Sequence, residues 1–516
     1  MALTPFLNEP DTDFGQESAQ QSMRKALAQV GRTLGREYPL IIGGERVIVS
    51  EKFQSRNPSS KDQIIGTFQK ASKREVDRAV GVASSAFDRW RRVPAPERAA
   101  ILLRAAERLR RRRFELAALM AYEVGKNWSE SDGEVAETID HLEYSAREVL
   151  RYAEGRPLVP NATELNQYLY VPLGVVAIIS PWNFPLALAA GMITGAVAAG
   201  NTVVLKPASD SPASSYPLIE ALEESGLPDG VVNILTGSGS EAGNTLVLHP
   251  LVRMVAFTGS REIGCWIYEH AARVQPGQKW LKRVIAEMGG KNAVIVDGEA
   301  DLQAAVDAAV VSAFGYQGQK CSAGSRLVVT ADVHDRTLEM VVARTRGLEI
   351  GPASENYPVG PVINDAAARK ILDYIRIGQR EGRLLAGGEP ADVDGPYIQP
   401  TVIAGVSPEA RVAQEEIFGP VVTLIKATDF DHAIEIANGT EYGLTGSVFT
   451  RNPEKIARAR AEFHCGNLYI NRKCTGALMG VHPFGGINMS GTDAKVGGPD
   501  YLLNFLQPKS VSIKYR

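Results

Sequence analysis

Cys321 lies in Gly318-Gln319-Lys320-Cys321-Ser322-Ala323-Gly324-Ser325, a loop of polar and small residues unlike the apolar setting of a structural cysteine. An exposed thiol in such a loop suits nucleophilic catalysis. Glu287, 34 residues earlier, ends an apolar run in Ala286-Glu287-Met288-Gly289-Gly290-Lys291. An isolated glutamate there is costly unless exposed, paired or functional, and its glycine neighbours admit close approach of a ligand. A free thiol titrates at about 8.5 and needs activation to attack near neutrality; Glu287 or Lys320 would assist. Asn183, in Pro181-Trp182-Asn183-Phe184-Pro185, either offers its amide to a developing oxyanion or makes an Asx turn before Pro185.

Other residues suit phosphate binding. Gly237-Ser238-Gly239, with Gly243 after it, follows a β-branched run and opens a helix, where backbone N–H groups are free. The spacing is one residue longer than the dinucleotide fingerprint, and such turns also arise for steric reasons. Phe257-Thr258-Gly259-Ser260 forms a second turn of this kind. Lys206-Pro207 ends another run, so its ammonium either projects from the ligand-binding sheet edge or is solvated surface.

Apolar runs at 175–179, 202–205, 231–235 and 254–257 alternate with helix-length segments at 186–199, 213–224 and 241–248. That alternation predicts a doubly wound α/β domain. A second series follows Glu287, with strands at 293–296 and 326–329 and helices at 302–314 and 337–346. Gly387-Gly388-Glu389-Pro390 and Gly395-Pro396 mark later loops. Met23, Leu27, Val30 and Leu34 recur at helical intervals and predict a docked N-terminal helix. The run Arg110–Arg113 falls on another helix and reads as a solvated face. Cys265, in a helical stretch, and Cys465 and Cys474, flanking a strand, are expected to pack.

The chain of 516 residues exceeds what one core usually serves, so at least two domains sharing a cleft are expected. With 56 basic and 59 acidic side chains the formal charge is −3, which implies neither a nucleic-acid nor a membrane partner. The apolar stretch 186–200 is too short to span a bilayer. No basic segment leads into an apolar one near Met1, so cytoplasmic residence is the expectation. Without CxxC or HExxH, reduced thiols and no metal are expected.

Pro181 to Pro185, Lys206-Pro207-Ala208, Phe257 to Ser260, Glu287 to Lys291, Gly318 to Cys321 and Glu416-Ile417-Phe418-Gly419-Pro420 occur in one order. In this the chain resembles the aldehyde dehydrogenase superfamily over roughly residues 40 to 510. Within it the chain is most similar to the 1-pyrroline-5-carboxylate (L-glutamate γ-semialdehyde) dehydrogenases. Ser322 after the thiol, Thr475-Gly476-Ala477 before Pro483-Phe484-Gly485-Gly486, and the early Pro5-Phe6-Leu7-Asn8-Glu9-Pro10 carry that finer match.

The resemblance implies two doubly wound parallel-sheet domains with a small β oligomerisation extension. Residues 1–286 would bind NAD, with an arm near 150–170; 287–470 would be catalytic; 471–516 would hold the substrate-anchor loop, a return to the NAD domain and an oligomerisation strand. It implies Cys321 as nucleophile, Glu287 as base for water and Asn183 as oxyanion donor. NAD would lie against Ile179, Ser180, Pro181, Trp182, Lys206, Ala208, Ser209, Gly239, Gly243, Phe257, Thr258, Gly259, Ser260, Ile263, Gly289, Glu416 and Phe418. Substrate would meet Glu137, Phe184, Lys320, Ser322, Gly476, Ala477 and Phe484. Ser209 departs from many relatives, which carry glutamate there, so some NADP tolerance is implied. The expected product is L-glutamate from its γ-semialdehyde, in a homo-oligomer. The alternatives are a succinate-semialdehyde type of enzyme, an acyl-transferring relative, or a non-catalytic scaffold. A bifunctional proline-oxidising enzyme is disfavoured, since no residues remain for a second catalytic domain.

Overall fold

The computed structural model describes residues 4–515. Two seven-stranded sheets organise it. The first runs, in spatial order, Arg283–Glu287, Val252–Thr258, Val175–Ile179, Thr202–Lys206, Val232–Ile234, Leu40–Ile42, Glu45–Val47. Its first five strands are parallel and the last two antiparallel. Apart from the edge strand Arg283–Glu287, the parallel strands are short, mostly apolar runs buried on both faces, as helices on both sides require. From Val175–Ile179 the chain winds outward in one direction through the next two strands, then returns to the other side of Val175–Ile179 with Val252–Thr258. That reversal makes a switch point, and a crevice opens at the carboxyl ends of the strands beside it.

The second sheet runs Arg383–Ala386, Thr401–Ala404, Val421–Ala427, Arg326–Thr330, Ala293–Val296, Thr445–Phe449, Asn467–Ile470, parallel except for the first. Helix Leu302–Phe314, capped by Asp301, packs on it and leads toward Cys321.

The expected strand positions agree within a few residues, and the expected helix at 241–248 opens as a wider π-type turn, Gly239–Gly243. Two expectations change. The N-terminal helix is Glu17–Gly31, burying Met23, Leu27 and Val30 and leaving Leu34 beyond its end. The four arginines do not share a solvated face, because the run straddles a helix boundary: Ala95–Arg111 ends there, Arg112 lies between, and Arg113 opens Arg113–Val124. Arg113 instead pairs with buried Asp132 at 2.6 Å, Arg112 with Glu115 at 2.8 Å, and Arg110 with Glu9 at 3.0 Å, leaving Arg111 outermost. The C-terminal strand Leu506–Lys514, at the expected oligomerisation strand, pairs antiparallel along its length with Glu164–Pro172 of its own chain.

Candidate active site

Helix Leu302–Phe314 ends in a reversal: Tyr316, Gln317 and Gly318 all adopt left-handed backbone, at φ 50°, 55° and 67°. Such a conformation is costly for the first two and persists only where neighbours fix it. Tyr316 Oη donates to Val124 O at 2.9 Å, and Gln317 Nε2 donates to Gly125 O and Pro361 O at 3.1 and 2.8 Å. At Gly318 a Cβ would stand 2.2 Å from Gly419 O, so glycine is required. Beyond the thiol, Asn292 Nδ2 donates to the carbonyls of Cys321 and Ala323 at 2.7 and 2.8 Å. The reactive loop is thus clamped on both sides of Cys321.

Cys321 is half-buried; burial, with Glu416 and Glu287 nearby, pushes its thiol up to about 12. The thiol therefore needs a base. Lys320, expected to help, is turned aside: its Nζ donates to Glu130 Oε1 at 2.6 Å. Glu287 shares with Cys321 an inner chamber of about 50 Å³. Burial raises its carboxyl well above the ordinary range, against one Gly486 N–H donated to Oε2 at 3.2 Å. Carboxyl and thiol are both held toward their protonated forms, so Glu287 takes the Cys321 proton only from its ionised state. Asn183 is buried and spends one amide N–H on Gln319 O at 3.0 Å, two residues before the thiol. Its amide group carries a second N–H.

Of the remaining cysteines, Cys474 is buried and donates to Ser322 O at 3.3 Å, and Cys465 is half-buried. Cys265, expected to pack, is exposed, because its helix buries Gly264 and Ile267 instead.

Most of the residues proposed for NAD meet at the carboxyl edge of the first sheet. Ile179 is in register with both Lys206 and Phe257, and Thr258 with Glu287. Ser180, Pro181 and Trp182 continue the first of these strands, and Ala208 and Ser209 follow Lys206. Lys206 neither projects nor is solvated: it is buried, its Nζ donating to Pro207 O at 3.0 Å, and burial lowers it to about 8. A Cβ at Gly243 would lie 3.6 Å from its Cδ. Ser209 Oγ donates to Gly237 O at 3.1 Å. Gly239 faces open space, the Gly259 backbone follows Thr258, and Ser260 caps the helix in which Ile263 is 48% exposed.

From the second body, half-buried Glu416 accepts the Gly290 N–H at 2.9 Å and lies so close to Gly289 that a Cβ there would stand 2.2 Å from its Oε2. Phe418, at φ 60°, stands edge-on to Trp182. An unpartnered Ser180 Oγ, an open glycine turn, an exposed apolar side chain and a half-buried carboxylate fit a dinucleotide with its ribose hydroxyls.

On the other side of Cys321 a cavity of about 380 Å³ is lined by Glu137, Phe184, Lys320, Ser322, Gly476, Ala477 and Phe484, which brings all of the expected substrate residues together. Lys473, Glu130, Glu9 and Asp11 line it as well. Asn8 Nδ2 donates to Asp140 Oδ2 and Met479 O at 2.8 and 3.0 Å, latching the N-terminal segment over the 476–482 loop. One further pair went unread in the sequence. Lys126 and Glu134, both fully buried, hydrogen-bond each other. Lys126 Nζ sits 3.3 Å over the Phe184 ring, and Glu134 Oε1 accepts the N–H groups of Leu186 and Ala187 at 2.8 and 3.1 Å.

The aldehyde dehydrogenase family model matches residues 48–511. A 1-pyrroline-5-carboxylate dehydrogenase of Geobacillus sp. (strain WCH70) is 54% identical over 99% of both chains. A 1-pyrroline-5-carboxylate dehydrogenase from Thermus, solved with bound NAD, is 50% identical with a TM-score of 0.99 over 100% of both chains. Proline utilization A from Bdellovibrio bacteriovorus, 43% identical with a TM-score of 0.97, matches all of this chain through 54% of its own length. The chain belongs to the aldehyde dehydrogenase family.

Proposed function

We propose that the chain oxidises L-glutamate γ-semialdehyde, the open form of 1-pyrroline-5-carboxylate, to L-glutamate with NAD, a step of proline degradation. The observation that carries this is the cavity beside Cys321. Apolar Phe184 and Phe484 suit a short aliphatic chain, Gly476 and Ala477 offer backbone groups for an α-ammonium and an α-carboxylate, and Glu137 and Lys320 shape the pocket. Relatives named for this activity at 54% identity support it.

In this reading Cys321 gives its proton to Glu287 and attacks the aldehyde carbon. The oxyanion takes hydrogen bonds from the second Asn183 N–H and the Cys321 backbone N–H. NAD, when bound, supplies the two-electron oxidant. Glu287, once it has released the thiol's proton, draws a proton from water, whose oxygen bonds to the thioester carbon as the C–S bond breaks, and that proton returns to the departing thiolate.

The reading takes residues 1–286 as the NAD-binding domain and 287–470 as the catalytic one. It also takes a cytoplasmic homo-oligomer, for which the support is the paired strands Glu164–Pro172 and Leu506–Lys514 with Leu165 and Ile513 exposed. Among the described residues no helix is long and apolar enough to cross a membrane.

The test is NADH formation at saturating NAD with L-glutamate γ-semialdehyde against succinate semialdehyde. Preference for the first is expected, and preference for the second would replace the substrate while keeping the chemistry. Ala477→Leu, which fills the cavity beside the anchor backbone, is expected to raise KM for glutamate semialdehyde roughly tenfold or more with less effect on succinate semialdehyde. Ser209 places no carboxylate against a 2′-phosphate, so measurable NADP turnover is expected; Ser209→Glu should cut kcat/KM for NADP roughly tenfold relative to NAD.

A further inference from the structure

Three residues that line the inner chamber each carry a buried polar atom without a partner in the protein: Glu287 Oε1, Tyr501 Oη and His141 Nε2. Unpaired buried polar atoms are rare, and three around one small space require an explanation. Tyr501 and His141 are 5% and 3% exposed. We propose that this chamber is the proton exit that precedes the hydrolytic step, carrying a proton from Glu287 by way of Tyr501 and His141 to Glu137 and solvent.

The dimensions fit. About 50 Å³ holds a short file of waters, since one needs roughly 10–15 Å³. Glu287 is the charge that bears on the Tyr501 phenol. His141 is kept against the chamber by Gly191, where a Cβ would stand 2.6 Å from its Cε1. Its Nε2 lies 3.8 Å from Glu137 Oε1, beyond a direct hydrogen bond and within reach of one bridging water. Glu137, its side chain 35% exposed, lines both the inner chamber and the outer cavity.

The other charged groups near this line are engaged elsewhere. Lys495 donates to Gly466 O at 2.6 Å, Asp140 accepts from Asn8 and Glu9, and His482 Nε2 meets Arg472 at 3.0 Å. Asp493, also near Glu287, raises its carboxyl further.

The relay rests on Glu287 being the base for water. The water's proton later goes to the departing thiolate; before water attacks, Glu287 must lose the proton taken from Cys321. It returns to carboxylate as Tyr501 Oη accepts that proton and releases its own through water to His141 Nε2. Imidazolium then passes the proton to Glu137 and the outer cavity, and no electrons move.

Stopped-flow NADH formation from L-glutamate γ-semialdehyde tests this with wild type, Tyr501→Phe and His141→Leu. The expected result is an unchanged first turnover, a steady-state rate lowered roughly tenfold or more, an altered acid limb of kcat against pH, and recovery with added imidazole buffer. Tyr501→Phe should unfold at the same or a higher temperature, since the lost hydroxyl has no protein partner. Variants equal to wild type in steady state, or losing first turnover and steady state together, would overturn the relay. A wild type forming no NADH from any aldehyde would instead overturn the reading of Cys321 and Glu287 beneath it.

Discussion

Replacing Cys321 by alanine is expected to lower aldehyde-dependent NADH formation by roughly 10⁴-fold or more, because no other thiol lines either cavity. Glu287→Gln is expected to fail differently. Its first turnover should proceed, slowed by the loss of a proton acceptor for the thiol, and then stop at the thioester, with steady-state turnover down about 10²–10⁴-fold. Intact-mass measurement after mixing with aldehyde and NAD distinguishes the two: an added acyl group on Glu287→Gln, none on Cys321→Ala. An acyl adduct that survives the loss of Cys321 would reject that residue as the nucleophile.

The same glutamate links activity to stability. Its carboxyl is raised in the folded state, so folded protein binds more protons than unfolded above the ordinary carboxyl range, and stability falls as pH rises from there through the raised value. Glu287→Gln should remove that penalty, gaining stability over wild type toward neutral and alkaline pH and little at low pH.

The largest structural effect is expected from Lys126→Met. Burial pushes Lys126 down and Glu134 up even though each stabilises the other's charge. Removing the ammonium leaves an uncompensated buried carboxylate, at a cost of about 3–5 kcal/mol. It also removes the cation from the Phe184 ring, so KM for the semialdehyde should rise in whatever fraction stays folded. Urea titration of Lys126→Met, Glu134→Gln and the double variant checks this. Glutamine can still accept one of the Leu186 and Ala187 N–H groups, so the double variant should recover much of the loss. Strict additivity would show that the two side chains act independently.

The sequence made most of the first sheet legible because four of its parallel strands read as short, mostly apolar runs, and the two serine-capped turns could be placed at its edge; the half-exposed edge strand Arg283–Glu287 went unassigned. Beyond residue 346 glycine and proline loops dominated the reading, and strands Thr401–Ala404 and Val421–Ala427 went unassigned. Helix Trp128–Tyr152 hid the most. Glu130, Glu134, Glu137 and His141 fall at i, i+4, i+7 and i+11, a titratable stripe along one face, and only Glu137 was recognised. Taken singly, each looked like an ordinary surface charge. The left-handed Tyr316 and Gln317 carry no local signal, since both residue types usually avoid that backbone and only distant carbonyls hold them there.

Those distant carbonyls have a consequence for biogenesis. The turn before Cys321 is held from residues 124, 125 and 361, and the base beside it takes its hydrogen bond from residue 486. During synthesis the cysteine therefore leaves the ribosome well before the last groups that fix its surroundings. Reactivity is a late property of this polypeptide, acquired when its final tenth folds back, and a truncated product would carry an unarmed thiol.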